Sequence, residues 1–259
     1  MEILILASGS KGNATIIKSG KQKILIDIGI SFLNLNKKLI EENISVNNLD
    51  ALFITHEHQD HIKGLNTLLK KAIIKNIFIS KGTYNSLPLD VRKLFPTNTI
   101  FIEAEKSFTY GDIEVTPFSL SHDAAEPISY IFNSNNKKAV VLTDTGYVDQ
   151  SYFKILKNAD AYILEANHDA EMLMNSKRPF NLKRRIISEK GHLGNNEASW
   201  LINEFIKERE KSVVWAVAHI SEDCNTTYKI EESIVKIVED PTKLEVIYTS
   251  QETSRKIEL

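Results

Sequence analysis

The amino-acid sequence predicts an α/β protein in which two β-sheets pack face to face with helices on their outer sides. Short apolar runs rich in Ile, Leu and Val recur along both halves of the chain, as is typical of strands. Segments with helical spacing lie between these runs. No Gly/Ser-rich or Pro-rich linker divides the halves, so residues 1–259 are predicted to form a single domain.

The first half is predicted to open with a meander of strands and to continue with strands and helices. Its predicted strands cover residues 3–6, 14–18, 23–27, 51–55, 77–79, 99–102 and 113–118. The polar stretch 19–22 between two apolar runs predicts a hairpin turn. The spacing of Leu35, Leu39 and Ile40 predicts a helix over residues 33–42, and a short helix is expected over residues 64–71.

The second half is predicted to alternate helices with apolar strands. Its predicted strands cover residues 128–133, 139–143, 161–164, 213–217 and 244–248. The predicted helices cover residues 151–157, 196–209 and 227–238. Two strand-rich halves with interspersed helices favour a sandwich of two sheets over a single open sheet.

The composition excludes several classes of protein. A hydrophobic fraction of 42% and a charged fraction of 25% are ordinary for a globular chain, and no apolar run approaches the about 20 residues that span a bilayer. The first residues lack the basic start of a secretory signal. Cys224 is the only cysteine, which excludes an intramolecular disulfide and a thiolate-rich zinc site and predicts a cytoplasmic location. The formal net charge of −2 argues against a globally basic nucleic-acid coat.

The most informative segment is the run His56-Glu57-His58-Gln59-Asp60-His61, which follows an apolar predicted strand. It contains three of the seven histidines of the chain, with an aspartate, in six positions. Packed together, these side chains would repel one another when protonated and would gain nothing structurally. Imidazole and carboxylate groups are ligands for divalent metal ions, so the sequence predicts that this cluster binds metal.

Three further candidate ligands, His122, Asp144 and His219, also follow predicted strands. Loops beyond strand ends are where a rigid scaffold displays functional groups, so we expect these side chains to join the cluster. The set favours two ions, which are zinc or manganese, with iron as a further option. We assign His56, His58 and His122 to one ion, Asp60, His61 and His219 to the other, and Asp144 to a bridging position. Water held there would have its pKa lowered to about 7 and would supply hydroxide.

The order of these motifs resembles that of the metallo-β-lactamase superfold, and the resemblance spans nearly the whole chain. It implies a four-layer αββα sandwich of two mixed sheets with external helices, and a dinuclear site at one edge of the sheets. Three segments, residues 8–13, 164–169 and 190–195, are similar to the YycJ/WalJ subgroup of bacterial nucleases. That subgroup is related to tRNase Z and is associated with 5′-to-3′ DNA exonuclease activity.

By the same resemblance, Glu165 orients His192 close to the oxygen that leaves when a phosphodiester is hydrolysed. The catalytic residues are then Asp60, Glu165 and His192, with hydroxide between the ions as nucleophile and His192 as proton donor. The chain departs from tRNase Z, because Leu164 stands where that enzyme has a histidine and Leu193-Gly194 replaces its Ser-Thr. It also lacks a long protruding segment for tRNA and the β-CASP insertion, so the resemblance favours DNA over RNA as the substrate.

A basic segment at residues 177–190 lies between Glu165 and His192 in the sequence. It contains six basic residues and one acidic residue. Its position predicts that Lys183, Arg184 and Arg185 bind phosphates, although a solvated face is the alternative. Phe180 is predicted either to stack on a base or to pack in the core.

Two further residues receive alternative interpretations. Asn13 and the glycines before it form a turn whose backbone N–H groups either approach a phosphate or only shape a hairpin. Asp27 either supports a ligand histidine or forms a turn.

Other functions stay open at this point. The alternatives are a small-molecule hydrolase of thioesters or lactones and an RNA-processing nuclease. An oxidoreductase with two irons is disfavoured, because flavodiiron proteins of this fold have Glu where this chain has His58. A regulatory protein that binds metal without turnover is disfavoured by the complete ligand set. We expect a nucleic-acid partner and no membrane, and the sequence leaves the oligomeric state open.

Overall fold

The structure is a computed structural model that describes every residue from Met1 to Leu259. The strands are β1 (Glu2–Ala7), β2 (Ala14–Ser19), β3 (Gln22–Ile26), β4 (Ala51–Phe53), β5 (Asn76–Ile79), β6 (Ile100–Phe101), β7 (Phe108–Tyr110), β8 (Ile113–Ser119), β9 (Ile128–Ser134), β10 (Lys137–Leu142), β11 (Ala161–Glu165), β12 (Val213–Ala218), β13 (Leu244–Tyr248) and β14 (Arg255–Glu258). The helices are α1 (Phe32–Glu41), α2 (Gln59–Ile62), α3 (Leu65–Lys71), α4 (Lys81–Ser86), α5 (Leu89–Arg92), α6 (Phe153–Leu156), α7 (Ala170–Asn175), α8 (Phe180–Ile186), α9 (Asn195–Ile206) and α10 (Thr227–Ile237). Two mixed seven-stranded sheets with helices confirm the predicted fold class.

The first sheet has the strand order β14-β1-β2-β3-β4-β5-β6. The neighbouring pairs β14–β1, β1–β2 and β2–β3 are antiparallel, whereas β4, β5 and β6 run parallel to β3. The hairpin between β2 and β3 turns at Gly20. Glycine adopts the φ of 53° at this position without a steric penalty because it has no side chain. Because β3 and β4 are parallel, their carboxyl ends lie at one edge, so Asp27 and the histidine cluster are neighbours.

The second sheet has the strand order β13-β12-β11-β10-β9-β8-β7. Strands β10 to β13 are parallel to one another, and β9 is antiparallel to β10. The carboxyl ends of parallel strands lie at the same edge of a sheet, and ligand-binding sites of α/β proteins form at that edge. Asp144, Glu165 and His219 stand at the carboxyl ends of β10, β11 and β12 and therefore lie on one edge.

The chain divides into two compact units. The first unit comprises Met1–Ser119, Ala124–Ile128 and Ser250–Leu259, and the second comprises Leu120–Asp123 and Ser129–Thr249. In the first unit, Leu4, Leu25 and Leu52 are fully buried in one apolar core. In the second, Tyr162 stacks on Phe205 with ring centroids 5.5 Å apart, and burial raises the pKa of the Tyr162 hydroxyl.

The predicted strands and helices are present with small shifts in their bounds. The predicted strand 51–55 ends at Phe53, and the predicted helix 151–157 begins as a 3₁₀ turn before α6. The sequence did not predict α2, α4, α5, α7, α8, β7 or β14. These five helices have four to seven residues each, too few for an apolar period to be recognised. None of the helices combines the length and the apolar character that crossing a lipid bilayer requires.

Candidate metal centre

In the first unit, the histidine cluster follows β4 directly and leads into α2. His58 is the residue immediately before the first turn of α2, and Asp60 lies within that turn. The rings of His56 and His61 are buried, with centroids 4.1 Å apart, and the centroids of His56 and His58 are 4.6 Å apart. The structure therefore brings the four predicted ligands of this segment together.

Asp27, at the end of β3, fixes two of these histidines. Its carboxylate accepts hydrogen bonds from Nδ1 of His61 at 2.7 Å and from the Thr55 hydroxyl at 2.7 Å. Because that hydroxyl donates to Asp27, it accepts from Nδ1 of His56, which is 3.0 Å away. Both rings then carry their hydrogen on Nδ1 and a lone pair on Nε2, which is the form in which histidine binds metal. Of the two roles left open for Asp27, the structure supports contact with a ligand histidine.

Asn13 reaches the cluster with its side chain. The Gly9 N–H donates to Oδ1 of Asn13 at 2.9 Å, which turns Nδ2 towards Nε2 of His61 at a distance of 3.0 Å. The N–H groups of Gly12 and Asn13 donate to the carbonyls of Gly9 and Asp60. The N–H groups of Gly9, Gly12 and Asn13 therefore all have protein acceptors, which favours the structural interpretation of the turn over a phosphate cradle.

In the second unit, two predicted ligands adopt an unusual backbone conformation. Asp144 and His219 have φ values of 61° and 50°, and both side chains are about 2% exposed. Residues other than glycine rarely occupy this region, and they persist there when the surrounding structure compensates for the strain, often at functional sites. Nε2 of His219 is 3.4 Å from Oδ1 of Asp144, and Nε2 of His122 is 4.0 Å from the same oxygen.

The rings of His122 and His219 are held by two residues to which the sequence analysis gave no individual role, although both lie in the segments 164–169 and 190–195. Nδ1 of His122 donates to the carbonyl of Gly191 at 3.1 Å, which leaves the Nε2 lone pair for a ligand. The Asn167 amide donates to the carbonyl of His219 at 2.9 Å and lies 3.0 Å from Nδ1 of the same ring. These partners are 69 and 52 residues away in the sequence, so no local pattern indicates them.

Glu165 and His192, paired by the resemblance, are in contact in the second unit. Oε2 of Glu165 accepts a hydrogen bond from Nδ1 of His192 at 3.0 Å. Oε1 accepts from the N–H groups of Thr145 at 2.8 Å and Leu193 at 3.3 Å. The carboxylate is completely buried, so these three donors fix its direction and compensate for its lost hydration. The His192 side chain is 17% exposed and its ring stacks on that of His219.

The donor chemistry of each unit fits a divalent transition metal ion. The first unit offers three imidazoles and one carboxylate, and the second offers carboxylate oxygens among buried imidazoles. Within the second unit, the ligand atoms of His122, Asp144 and His192 all lie within 4.8 Å of one another, as do those of Glu165, His192 and His219. His192 belongs to both groups, so the distances from its ring nitrogens to the other ligand atoms are compatible with metal binding as well as with proton donation.

The basic segment forms α8 and its flanks, and two of its three predicted phosphate ligands have protein partners. Lys183 donates to two backbone carbonyls at the end of α7, at 2.6 and 2.8 Å. Arg185 makes two hydrogen bonds with the carboxylate of Asp123, at 2.5 and 3.0 Å. Arg184 is exposed. Phe180 is 66% exposed, which excludes the core-packing alternative for its side chain.

Two further residues close to this segment have structural environments. His168 is buried, pairs through its backbone with Gly194, and has its pKa lowered chiefly by burial. Cys224 is buried in a small apolar cluster with Leu173 and Ile186. His168 therefore links the segment after Glu165 to the segment after His192, and Cys224 belongs to the apolar packing between α7 and α8.

Comparison with known proteins identifies relatives of this chain. The family model described as "Beta-lactamase superfamily domain" matches residues 22–213. The chain is 36% identical to the exodeoxyribonuclease YycJ of Bacillus anthracis, over 91% of this chain and 88% of that protein. It is 37% identical to the exodeoxyribonuclease WalJ of Streptococcus pneumoniae, over 85% of this chain and 82% of that protein.

Solved structures agree on the fold. The metallo-β-lactamase fold protein YhfI from Bacillus subtilis superposes with a TM-score of 0.73 at 16% sequence identity, covering 99% of each chain. At that identity the likeness concerns the fold, and it supports the predicted αββα sandwich.

Proposed function

This chain belongs to the β-lactamase superfamily, in the group that contains the exodeoxyribonucleases YycJ and WalJ, and on that premise we propose that it is a metal-dependent 5′-to-3′ DNA exonuclease. The observation that carries the proposal is the Asp27–Thr55 network, which presents Nε2 of His56 and His61 in metal-binding form. The relatives' printed names support DNA as the substrate. Residues 1–259 are proposed to work as one domain.

The proposed centre holds two divalent ions, zinc or manganese. One ion would be bound by His56, His58 and His122, and the second by Asp60, His61 and His219, with Asp144 between them. When bound, such ions act as Lewis acids that neutralise phosphoryl oxygens and make water acidic. Imidazole and carboxylate donors suit both metals.

Asp27→Asn is expected to weaken metal binding by about 10- to 100-fold, because loss of a partner that orients a ligand histidine typically has this effect. Asn tolerates the φ of 57° at this position, so the backbone should be kept. The measurement is zinc affinity by competition with a chromogenic chelator. Asp90→Asn, an exposed change in the same unit, is the matched control. If a folded Asp27→Asn protein bound zinc as tightly as the wild type, Asp27 would have no role in orienting the proposed ligand histidines.

We propose that His192, together with Glu165, supplies the proton that the leaving group needs. His192, held at Nδ1 by Glu165, would use Nε2 to protonate the departing 3′ oxygen. The Glu165 carboxylate supplies the counter-charge for the doubly protonated ring, and its other oxygen is already occupied by two backbone N–H groups. Arg184 would attract the phosphate backbone, with Lys183 and Arg185 adding charge while they fix α8, and Asn13 would act beside His61.

The test is digestion of single- and double-stranded DNA and matched RNA, labelled at either end, with Mn²⁺ or Zn²⁺. We expect 5′-labelled DNA to release labelled mononucleotides at once and 3′-labelled DNA to shorten stepwise, with no reaction in chelator. Faster digestion of RNA would favour the RNA-processing alternative. Turnover of a thioester or lactone, with intact nucleic acids, would favour the small-molecule hydrolase.

A further inference from the structure

Helix α8 is fixed to the second unit through one side of its surface. The side chains of Leu182 and Ile186 pack on an apolar cluster with Leu173 and Cys224. Lys183 ties the helix to the end of α7, and Arg185 ties it to Asp123. These attachments fix the position of α8 and therefore the position of its other side.

The other side of α8 carries three exposed residues at helical spacing. Phe180 is 66% exposed, Ile187 is 52% exposed, and Arg184 between them is exposed. Residues at positions i, i+4 and i+7 lie on one face of a helix. These three residues, here called the α8 face, therefore present an aromatic ring, a guanidinium and an aliphatic side chain in one row of about 10 Å. An exposed aromatic ring with a cation beside it on one helix face is a combination to which a single nucleic-acid strand can bind.

The α8 face is directly connected to the proposed proton donor. The backbone N–H of His192 donates to the carbonyl of Ile186, the last residue of α8, at 2.9 Å. The segment between them also packs against the backbone after Asp144, since a Cβ on Gly146 would lie 2.1 Å from the Ser188 carbonyl oxygen. A ligand on this face would therefore lie in a fixed relation to His192.

We infer that the α8 face is the track on which single-stranded DNA lies, with a base stacked on Phe180 and a phosphate bound by Arg184. This inference rests on the proposed function and adds a residue-level substrate contact to it. An aromatic side chain stacks on any base, and a neighbouring cation contacts the backbone, which is the pairing that single-strand binding proteins use. A duplex hides its base faces, so the contact selects a single strand. The segment 177–190, with six basic residues and one acidic residue, has the charge that a polyphosphate needs.

The experiment measures the affinity of labelled single-stranded DNA for Phe180→Ala and Arg184→Ala proteins in chelator, which prevents digestion. We expect Phe180→Ala to weaken binding by about tenfold, the range reported for loss of one base–aromatic stack. The loss should vanish on an oligonucleotide whose backbone carries abasic sites, since no base is left to stack. Arg184→Ala should weaken binding to both oligonucleotides and should reduce the salt slope by about 0.7, the value for one phosphate contact on a single strand.

Matched controls are Tyr228→Ala and Lys236→Ala, which remove an exposed ring and an exposed cation from α10 in the same unit. Both should bind DNA like the wild type. Wild-type affinity in both α8 variants, or an equal loss on normal and abasic DNA for Phe180→Ala, would overturn the inference. Nuclease assays on the same wild-type preparation distinguish the two hypotheses, because an active nuclease with unaffected α8 variants leaves the proposed function standing while this inference fails.

Discussion

Asp60→Ala is expected to lower DNA hydrolysis by at least about 10³-fold while leaving the protein folded. Asp60 is a proposed ligand of the second ion, and a bound ion contributes several kcal/mol of transition-state stabilisation. Its side chain is 23% exposed, and its Oδ2 is 3.7 Å from Nε2 of His61. Truncating a partly exposed carboxylate leaves no apolar cavity, so stability should change little.

The measurements are initial rates on end-labelled DNA, bound metal per chain by elemental analysis, and thermal unfolding. Asp90→Ala, an exposed aspartate at the start of α5, is the matched control and should behave like the wild type. A near-normal rate for Asp60→Ala would be incompatible with the proposed ligand set. A lower unfolding temperature with an unchanged rate would instead make Asp60 a structural residue.

The histidine cluster and the long strands were predictable because their signals are local. Ile24 to Ile26 and Val213 to Ala218 are apolar runs bounded by polar residues, and the six-residue cluster has a composition with no structural rationale. Parallel strands deliver their following residues to one edge, which is why Asp144, Glu165 and His219 meet in the second unit.

The supporting contacts were not predictable, because they depend on the folded chain. Thr55 links Asp27 to His56 only when β3 and β4 are paired, and Gly191 reaches His122 across 69 residues. The positive φ values of Asp144 and His219 could not be predicted from the sequence. Glycine is the residue that usually signals this backbone conformation, and neither position is a glycine. Helix α7 is capped by Asp169, and a small apolar cluster holds both α7 and α8, so neither helix depends on a long periodic face.

His192→Ala is expected to slow DNA hydrolysis by about 10²- to 10⁴-fold, the usual contribution of general acid catalysis. The departing 3′ alkoxide is a poor leaving group and needs a proton. Nitrophenolate needs none, so hydrolysis of bis(p-nitrophenyl) phosphate by the same variant should fall far less. The ratio of the two losses reports on proton donation, because a general disturbance of the centre would slow both substrates alike.

His168→Gln provides a comparison, since it removes another buried imidazole of the second unit, one whose pKa Glu165 and His192 influence but which is hydrogen-bonded to neither of them. Any loss in that variant should be equal on the two substrates. His192 is also close enough to His122 and Asp144 to bind a metal ion with them. A role for His192 as a metal ligand predicts a different result. If His192 were a metal ligand, His192→Ala would lose bound metal and would slow the nitrophenyl ester as much as DNA. Equal losses together with a reduced metal content would therefore reassign His192 from proton donor to ligand.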